Sequence, residues 1–259
     1  MEIWQAHYQD QFHDLPCSIE NHWGNNQAED VFKMCIDGIT FVGSDLDDWE
    51  LSKVENEENI DSIAKKFSLL KYGYQEKGYH FMLQSYKLNI KIPTVIFSFE
   101  KQCRISSEIN VAFKNTSDSK EIRGRYPVDD KYTIPNASIC EKFNLTIENL
   151  CFSAEKPSTF FEESFQAICN QLNGKYYLCN CFGCLYSDYH PCGQGNIGSI
   201  CCFEKNKENY LRVYSKYEGE YTIWDAFDEG GIQCQETNLC EYFVPRINCL
   251  GGYRGEIYT

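Results

Sequence analysis

The sequence predicts a mainly β protein, in which an antiparallel β-sandwich-like domain over residues 1–153 is followed by a smaller α+β zinc-knuckle domain over residues 154–259. Three observations lead to this prediction. Short runs of β-branched and aromatic residues recur at regular spacing in the first part of the chain. One helical pattern comes after them. Nine of the 15 cysteines then lie between residues 179 and 249.

The predicted strands begin with a hairpin over residues 31–42, whose two arms flank the turn pair Asp37-Gly38. Residues 79–92 alternate between apolar and polar positions for much of their length, which predicts a strand. Pro93 suits an edge strand or the end of a strand. Residues 114–138 are polar and predict a long loop. The remaining strand predictions cover residues 94–99, 109–113 and 143–152.

A single helix is expected after these strands. Thr159 and Glu162 have the spacing of a capping box, and Gly174 is suited to end the helix. The apolar residues between them recur on one helical face: Phe161, Phe165, Ile168, Cys169 and Leu172. A short strand over residues 175–178 then leads into the cysteine-rich region.

Composition narrows the class of protein. The net charge of −14 argues against nucleic acid and against anionic membrane surfaces as partners. The first residues contain no basic segment followed by an apolar one, so we expect a cytoplasmic protein without a secretory signal. Disulfides are rare in that compartment, and an odd number of cysteines also argues against a fully paired framework.

The negative charge is concentrated near the start of the chain. Residues 1–62 contain 15 of the 38 acidic residues and two of the 24 basic ones, a charge of −13, so the rest of the chain carries −1. This polarity predicts a docking surface for a basic protein partner, with Trp49 as a buried anchor of the complex. A solvated loop that favours solubility is the alternative. The predicted partner-binding residues are Asp45, Asp47, Asp48, Trp49, Glu50, Glu57 and Glu58.

Cys181 and Cys184 form a C-x-x-C motif, the spacing at which two thiolates on one tight turn reach the same tetrahedral ion. Gly183 lets the backbone turn between them. Other cysteines stand singly among apolar neighbours and are expected to be small buried hydrophobes. These are Cys17, Cys35, Cys103, Cys140 and Cys151.

The region around this motif resembles an uncharacterised bacterial family of unknown function. The similarity covers roughly residues 155–246, and the first half of the chain is similar only in being rich in strands. The family pattern is a C-x-x-C-x-Y-S-x-Y segment, a glycine-rich turn, a Cys-Phe pair and a closing E-T-x-x-C-x-x-F. The matching stretches here are Cys181 to Tyr189, Gly193 to Gly198, Cys202-Phe203 and Glu236 to Phe243.

This resemblance implies that Cys181, Cys184, Cys202 and Cys240 act as one set, and the set is compatible with a tetrahedral structural zinc. The chain also contains thiols that the family pattern lacks, so the third and fourth ligands remain open. The alternative ligands are Cys179, Cys192, Cys201, Cys234 and His190. A cluster of thiols without a metal is the other interpretation of the same residues.

No catalytic residue is predicted, since the five histidines form no metal-binding motif and residues 193–198 do not open a helix as a dinucleotide loop does. We therefore expect a non-enzymatic bacterial binding protein stabilised by structural zinc, for which an immunity protein that neutralises a toxin is the concrete form. The alternative is a zinc- or thiol-dependent hydrolase that uses the cysteine-rich knuckle.

Overall fold

The computed structural model confirms a mainly β protein with large antiparallel sheets, at 43% strand and 16% helix. It describes residues 1–23, 31–52, 60–74, 78–116, 138–158, 160–172, 174–190, 196–247, 254 and 257–258. All thirteen cysteines within these ranges are free thiols. Among the same residues, no helix combines the length and the apolar character that crossing a membrane requires.

The chain divides into two compact units. Unit 1 consists of residues 1–90 and 112–141, and unit 2 consists of residues 91–111 and 142–259. The predicted boundary between residues 153 and 154 falls inside unit 2. Each unit is therefore assembled from two separate stretches of sequence.

Unit 1 is built on an antiparallel sheet whose strands alternate between buried and exposed residues. Its elements are β1 (Glu2–Gln9), β2 (Asp14–Asn21), β3 (Phe32–Ile36), β4 (Ile39–Gly43), β5 (Glu50–Leu51), α1 (Ile60–Ile63), β6 (Leu69–Tyr74) and β7 (Gly78–Leu83). Two long strands follow, β8 (Lys87–Ser98) and β9 (Cys103–Lys114), and both units contain parts of them. The strand order in unit 1 is β8-β1-β2-β3-β4-β5-β7-β6.

Aromatic side chains fill the core of unit 1. Trp4 and Tyr8 lie on the buried face of β1 and are fully buried. Trp4 packs against Phe32 with ring centroids 5.6 Å apart, and Tyr8 stacks on Tyr86 at 6.0 Å. Large buried aromatic surfaces of this kind supply much of the free energy of folding of a β protein.

In unit 2 the hydrogen-bonded strands follow the order β11-β10-β9-β8, and β12 also pairs with β8. Its further elements are β10 (Ile139–Ile147), β11 (Leu150–Ser153), α2 (Phe161–Leu172), β12 (Tyr176–Leu178), β13 (Ser187–Tyr189), β14 (Ile200–Cys202), a 3₁₀ helix (Glu204–Asn206), α3 (Lys207–Tyr210), α4 (Ile223–Gly230) and β15 (Ile232–Cys234). Strands β13, β14 and β15 form a separate small antiparallel sheet in that order. This small sheet follows the C-x-x-C motif directly in sequence.

The helix α2 was predicted correctly, and all five residues of its predicted apolar face are buried. Phe165 on this helix stacks on Phe182 with ring centroids 4.6 Å apart. Gly174 has the positive φ of +67° that a helix-ending glycine adopts. Thr159 of the predicted capping box lies outside the described residues.

Two predicted strands are each two elements in the structure. The prediction for residues 79–92 covers β7 and the start of β8, and Ser85 between them has φ +56°. The prediction for residues 143–152 covers the hairpin of β10 and β11, which turns at Glu148 with φ +52°. Pro93 lies inside β8 rather than at its end. Most of the predicted loop at residues 114–138 lies outside the described part of the chain.

The singly placed cysteines are less buried than expected. Only Cys140 of the five is buried, whereas Cys35, Cys103 and Cys151 are exposed and Cys17 is half-buried. Cys35 is exposed on β3 between the buried residues Met34 and Ile36, because alternate side chains of a strand point to opposite faces. Cys103 is the exposed first residue of β9, and no residue of β11, which contains Cys151, is buried. The apolar residues next to these cysteines in the sequence therefore did not show whether the cysteines themselves are buried.

Candidate metal centre

The C-x-x-C motif forms a tight turn at the end of β12. The amide of Gly183 donates to the carbonyl oxygen of Asn180 at 3.1 Å, and the amide of Cys184 donates to the carbonyl oxygen of Cys181 at 3.2 Å. A Cβ atom on Gly183 would collide with the carbonyl group of Leu178. A glycine is required here because the backbone of Leu178 passes so close, and not because of a positive φ.

Backbone hydrogen bonds join this turn to the segment that contains Cys240. The amide of Cys181 donates to the carbonyl oxygen of Asn238 at 3.0 Å, and that of Phe182 donates to Glu236 at 2.9 Å. On the other side of the motif, the amide of Leu185 donates to the carbonyl oxygen of Val244 at 2.7 Å. The residues on both sides of Cys240 are thereby held against the turn.

The small sheet brings Cys202 to the same place. In the antiparallel pairing of β13 with β14, Cys202 lies opposite Ser187, three residues after Cys184. The hydroxyl of Ser187 donates to the carbonyl oxygens of Cys181 and Cys184, which fixes the start of β13 against the turn.

The four predicted ligands are neighbours in the structure. Cys181, Cys184 and Cys240 all act electrostatically on Cys202, and Cys181 and Cys240 act on Cys184. Burial raises the pKa of Cys202 to about 11 and also raises that of Cys184. Within the described part of the chain, no three His, Cys, Asp or Glu side chains are already spaced as ligands of one metal ion. The four sulfurs are therefore gathered, but they do not form a closed ligand shell.

Backbone hydrogen bonds act on three of the four sulfurs. The amide of Tyr242 donates to Sγ of Cys240 at 3.3 Å. A backbone hydrogen bond at Glu204 acts to lower the pKa of Cys202, and those at Val244 and Tyr186 act to lower the pKa of Cys184. Such bonds stabilise a thiolate more than a thiol, because the ionised sulfur is the stronger acceptor. At Cys184 and Cys202 these hydrogen bonds oppose the effect of burial, which still leaves their pKa values raised.

Cys181 has a different set of donors. The side-chain amide of Asn238 lies 3.5 Å from its sulfur. The thiol of a fifth cysteine, Cys234, also donates to this sulfur, and that hydrogen bond is the main reason why the pKa of Cys181 is lowered. The same bond, followed by burial, strongly raises the pKa of Cys234. Cys181 therefore carries the negative charge of this pair and Cys234 keeps its proton.

The other alternative ligands lie in different surroundings. Cys201 is buried in an apolar cluster with Phe203 and Tyr210. Cys179 is hydrogen-bonded to Arg104, and burial raises its pKa to about 11. The ring of His190 packs edge-on against Phe227 with centroids 4.4 Å apart. Cys192 lies outside the described residues.

A buried arginine, which the sequence did not indicate, supports the turn. Arg246 is fully buried. Its guanidinium donates to the carbonyl oxygens of Cys184 at 3.1 Å, Leu185 at 2.8 Å and Ser187 at 2.6 Å, and to the hydroxyl of Tyr210 at 2.6 Å. A planar group with several donors can fix successive carbonyls in this way. Arg246 thus fixes the chain that leaves the motif.

Asp188 is the second buried charge beside the turn. Its carboxylate accepts from the hydroxyl of Tyr210 at 2.8 Å and from the amide of Arg254 at 3.0 Å. Burial raises the pKa of Asp188, and the positive charges of Arg254 and Arg246 oppose this rise. No motif in the sequence marks these charged residues, because they are recognisable only once the fold brings them together.

The predicted acidic docking residues belong to unit 1, and several of them are part of its own structure. The Asp48 carboxylate accepts from the Ser44 hydroxyl and from the Asp45 amide, and burial raises its pKa. The Glu50 carboxylate lies 2.9 Å from Nδ1 of His80. Asp45 and Asp47 are half-buried. Glu57 and Glu58 lie outside the described residues.

Trp49 has no exposed surface, and its indole N–H donates to the carbonyl oxygen of Leu46 at 2.9 Å. An anchor that binds a partner must present its ring at the surface of the free protein. The position of Trp49 therefore assigns it to the core of unit 1, and the anchor role predicted for it does not fit this position.

Residues 2–187 match the model of a family described as a family of unknown function, DUF6304. The matched range contains Cys181 and Cys184, and it ends before Cys202 and Cys240. It therefore reaches much further into the first half of the chain than the similarity predicted for residues 155–246. No curated protein and no solved structure matches the chain.

Proposed function

The chain belongs to DUF6304, a family of unknown function, and from this premise we propose that it is a non-enzymatic binding protein in which Cys181, Cys184, Cys202 and Cys240 hold a structural zinc ion. The observation that carries the proposal is that the fold brings these four cysteines to one place from three separate segments, where backbone N–H groups act as hydrogen-bond donors to three of the sulfurs. These donors fit thiolate ligands, which a zinc ion requires.

Zinc suits this donor set better than other common metal ions. Sulfur ligands favour Zn²⁺ over Mg²⁺ and Ca²⁺, which prefer oxygen. Burial raises the pKa values of Cys184 and Cys202, so the ion would have to displace their protons as it binds. Four sulfur ligands leave no open position for water, which favours a structural role over the alternative of a zinc hydrolase.

The proposed zinc would join parts of unit 2 that are distant in sequence. It would link the turn after β12, the strand β14 and the segment after β15. Such a link would fit the proposed architecture, in which a smaller α+β zinc-knuckle region follows an antiparallel β-sandwich. The sheet of unit 1 supports the sandwich in one respect, since strands such as β1 bury one face and expose the other.

Metal analysis of the purified protein tests the zinc. We expect about one zinc per chain, bound strongly enough to survive gel filtration. Cys181→Ser should lose the metal and several kcal/mol of stability, because a structural zinc site contributes directly to folding. Cys35→Ser is the matched control, since this exposed thiol should change stability by less than about 0.5 kcal/mol. Protein that contains no zinc and has freely titratable thiols would refute the proposal.

For the partner we propose a basic protein, with neutralisation of a toxin domain as the biological role. The support is the charge of −13 on residues 1–62 against −1 on the rest of the chain. A toxin-like reading frame beside this gene would supply the candidate. Its association should weaken as salt rises above about 0.15 M, where charges are screened over about 8 Å. Binding whose rate does not depend on salt would contradict an electrostatic partner.

A further inference from the structure

Unit 1 contains a cavity of about 410 Å³ at one end of its sheet. Three residues at strand ends meet there, namely Gln9 at the end of β1, Lys87 at the start of β8 and Lys114 at the end of β9. These three strands are neighbours in the sheet. The volume lies within the range of small-molecule sites, which is roughly 300–1,000 Å³.

A buried asparagine holds the wall of this cavity in place. Oδ1 of Asn115 accepts from the amide of Ser85 at 3.1 Å, and its Nδ2 donates to the hydroxyl of Ser138 at 3.3 Å. The backbone amide of Asn115 donates to the carbonyl oxygen of Tyr86 at 2.9 Å. These bonds keep Ser85 at φ +56°, a conformation that is strained for serine. The cavity is therefore preformed, which lowers the entropic cost of binding a ligand.

Two lysines give the cavity a positive lining in a part of the chain that is otherwise acidic. Lys87 is exposed, and it has no ion pair with any residue that the structure describes. Nζ of Lys114 lies 3.9 Å from Oε1 of Glu141, and these side chains are 41% and 44% exposed. An exposed pair at this distance is weak. Both ammonium groups can therefore bind an anion that enters the cavity.

Asp10 also lines the cavity, but its carboxylate does not face it. The side chain of Asp10 has no exposed surface. Its Oδ1 accepts from the backbone amides of Phe12 at 2.7 Å and His13 at 2.6 Å, and its Oδ2 accepts from the hydroxyl of Tyr8 at 2.8 Å. Asp10 therefore meets the cavity through its main chain, and donors behind the wall compensate its charge.

We propose that this cavity binds a small organic anion of the phosphate monoester class, such as a sugar phosphate. Lys87 and Lys114 bind the phosphate oxygens as two point charges. The amide oxygen of Gln9 and the hydroxyl of Thr116 bind hydroxyl groups of the ligand. The apolar stems of the lysines contact its carbon skeleton. All of these residues belong to unit 1, so the inference depends neither on the proposed zinc nor on the proposed partner.

Isothermal titration calorimetry of the purified full-length protein tests the site, in a buffer without phosphate or sulfate. Glucose 6-phosphate and ribose 5-phosphate are the probes, glucose is the neutral control, and succinate is a dianion without phosphate. We expect at least one sugar phosphate to bind with a Kd below about 1 mM, and glucose not to bind. Failure of both sugar phosphates to bind, or tighter binding of succinate, would overturn the proposal.

Substitution of single lysines locates the bound anion. Lys87→Ala and Lys114→Ala should each weaken binding about tenfold, the loss expected for one charge-assisted hydrogen bond. Both side chains reach solvent, so these variants should keep the wild-type midpoint of urea unfolding. Lys65→Ala is the matched control, since this exposed lysine of unit 1 does not line the cavity, and it should bind as the wild type does. Equal weakening in all three variants would mean that the anion responds only to overall charge, which contradicts the site.

A further variant fills the cavity while both lysines remain. Thr116→Trp places a large ring in the lining and should abolish binding. Urea unfolding again verifies that the variant is folded. Wild-type affinity in folded Thr116→Trp would place the anion on the surface beside the lysines, and the inference of a cavity site would then be wrong.

Discussion

Gly183 allows the turn between Cys181 and Cys184 to pack against β12. A Cβ atom at this position would overlap the carbonyl oxygen of Leu178, far inside van der Waals contact, and a backbone group cannot move away as a flexible side chain can. We expect Gly183→Ala to cost about 2–4 kcal/mol, as overpacking against backbone does, and to lower the zinc content of the purified protein.

Urea unfolding and metal analysis measure these two effects. Gly230→Ala serves as the control, because a Cβ atom on that residue would meet only the Cβ atom of Asn206 at 3.3 Å. This control should unfold within about 1 kcal/mol of the wild type. A Gly183→Ala protein with normal stability and a full complement of zinc would show that the turn can relax.

Trp49 provides a prediction about the core of unit 1. Because the indole is fully buried, Trp49→Ala should destabilise the protein by about 3–5 kcal/mol, as the removal of a large buried side chain does. Ile3→Ala, at an exposed position of β1, should change stability by less than about 0.5 kcal/mol. Equal unfolding midpoints for the two variants would place Trp49 outside the core.

The burial of the Asp48 carboxyl predicts that the stability of the protein depends on pH. Burial raises the pKa of its carboxyl in the folded protein above the ordinary value, about 3.9 for aspartate. The folded state then holds the proton more tightly than the unfolded state. The contribution of Asp48 to the free energy of unfolding therefore falls as the pH rises from about 3.9 through the raised pKa.

Asp48→Asn removes this titration while it keeps an oxygen that can accept from the Asp45 amide. The stability of Asp48→Asn relative to wild type should increase from pH 4 to pH 7, as measured by urea unfolding at several pH values. A stability difference that stays constant or decreases over this range would contradict the raised pKa of the Asp48 carboxyl.

At the scale of elements, the local sequence predicted turns and helix ends well where a particular residue type suits the backbone conformation that is needed there. Asp37 and Gly38 both have positive φ, at 48° and 77°, and the hairpin of β3 and β4 turns at this pair as predicted. The helix α2 also agrees, since apolar residues on one face and a terminal glycine are local signals.

Prediction was wrong at two turns whose residue types do not signal a positive φ. Ser85 and Glu148 adopt positive φ, at 56° and 52°, and neither residue type signals this conformation. At Ser85 the reason is tertiary, because its amide donates to Oδ1 of Asn115, which is 30 residues away in sequence. A pattern of alternating apolar residues cannot contain that information, so two strands were predicted as one.

The candidate metal centre was predictable only in part, for a similar reason. The spacing of Cys181 and Cys184 is a local motif, and the resemblance to a family pattern suggested Cys202 and Cys240. The roles of Cys234 and Arg246 depend on the pairing of β14 with β15 and on the fold around the turn. No spacing in the sequence distinguishes Cys234 from the other extra thiols.

At the scale of the whole molecule, the distribution of tryptophans allows the two units to be observed separately. Trp224 is the only one of the four tryptophans in the sequence of unit 2, and it packs beside the apolar cluster that contains Cys201. Removal of zinc by a chelator should loosen unit 2 and shift the fluorescence of Trp224 to longer wavelength. The tryptophans of unit 1 should keep their emission.

Trp224→Phe should abolish this spectral change, whereas Trp23→Phe should preserve it. The measurement is the emission spectrum of each full-length variant before and after chelation. A change that persists in Trp224→Phe would show that the loss of metal disturbs unit 1 as well, and that the stabilising effect of zinc is not confined to unit 2.

The interleaving of the two units in sequence affects how the protein is made. Residues 91–111 belong to unit 2, but they leave the ribosome before residues 112–141 of unit 1 and well before Cys240. At a synthesis rate of about 5–20 residues per second, this strand-forming segment waits roughly 6–26 seconds for the last proposed ligand. Unit 2 can therefore be completed only late in synthesis, and with the proposed zinc site its completion would also depend on the supply of metal in the cell.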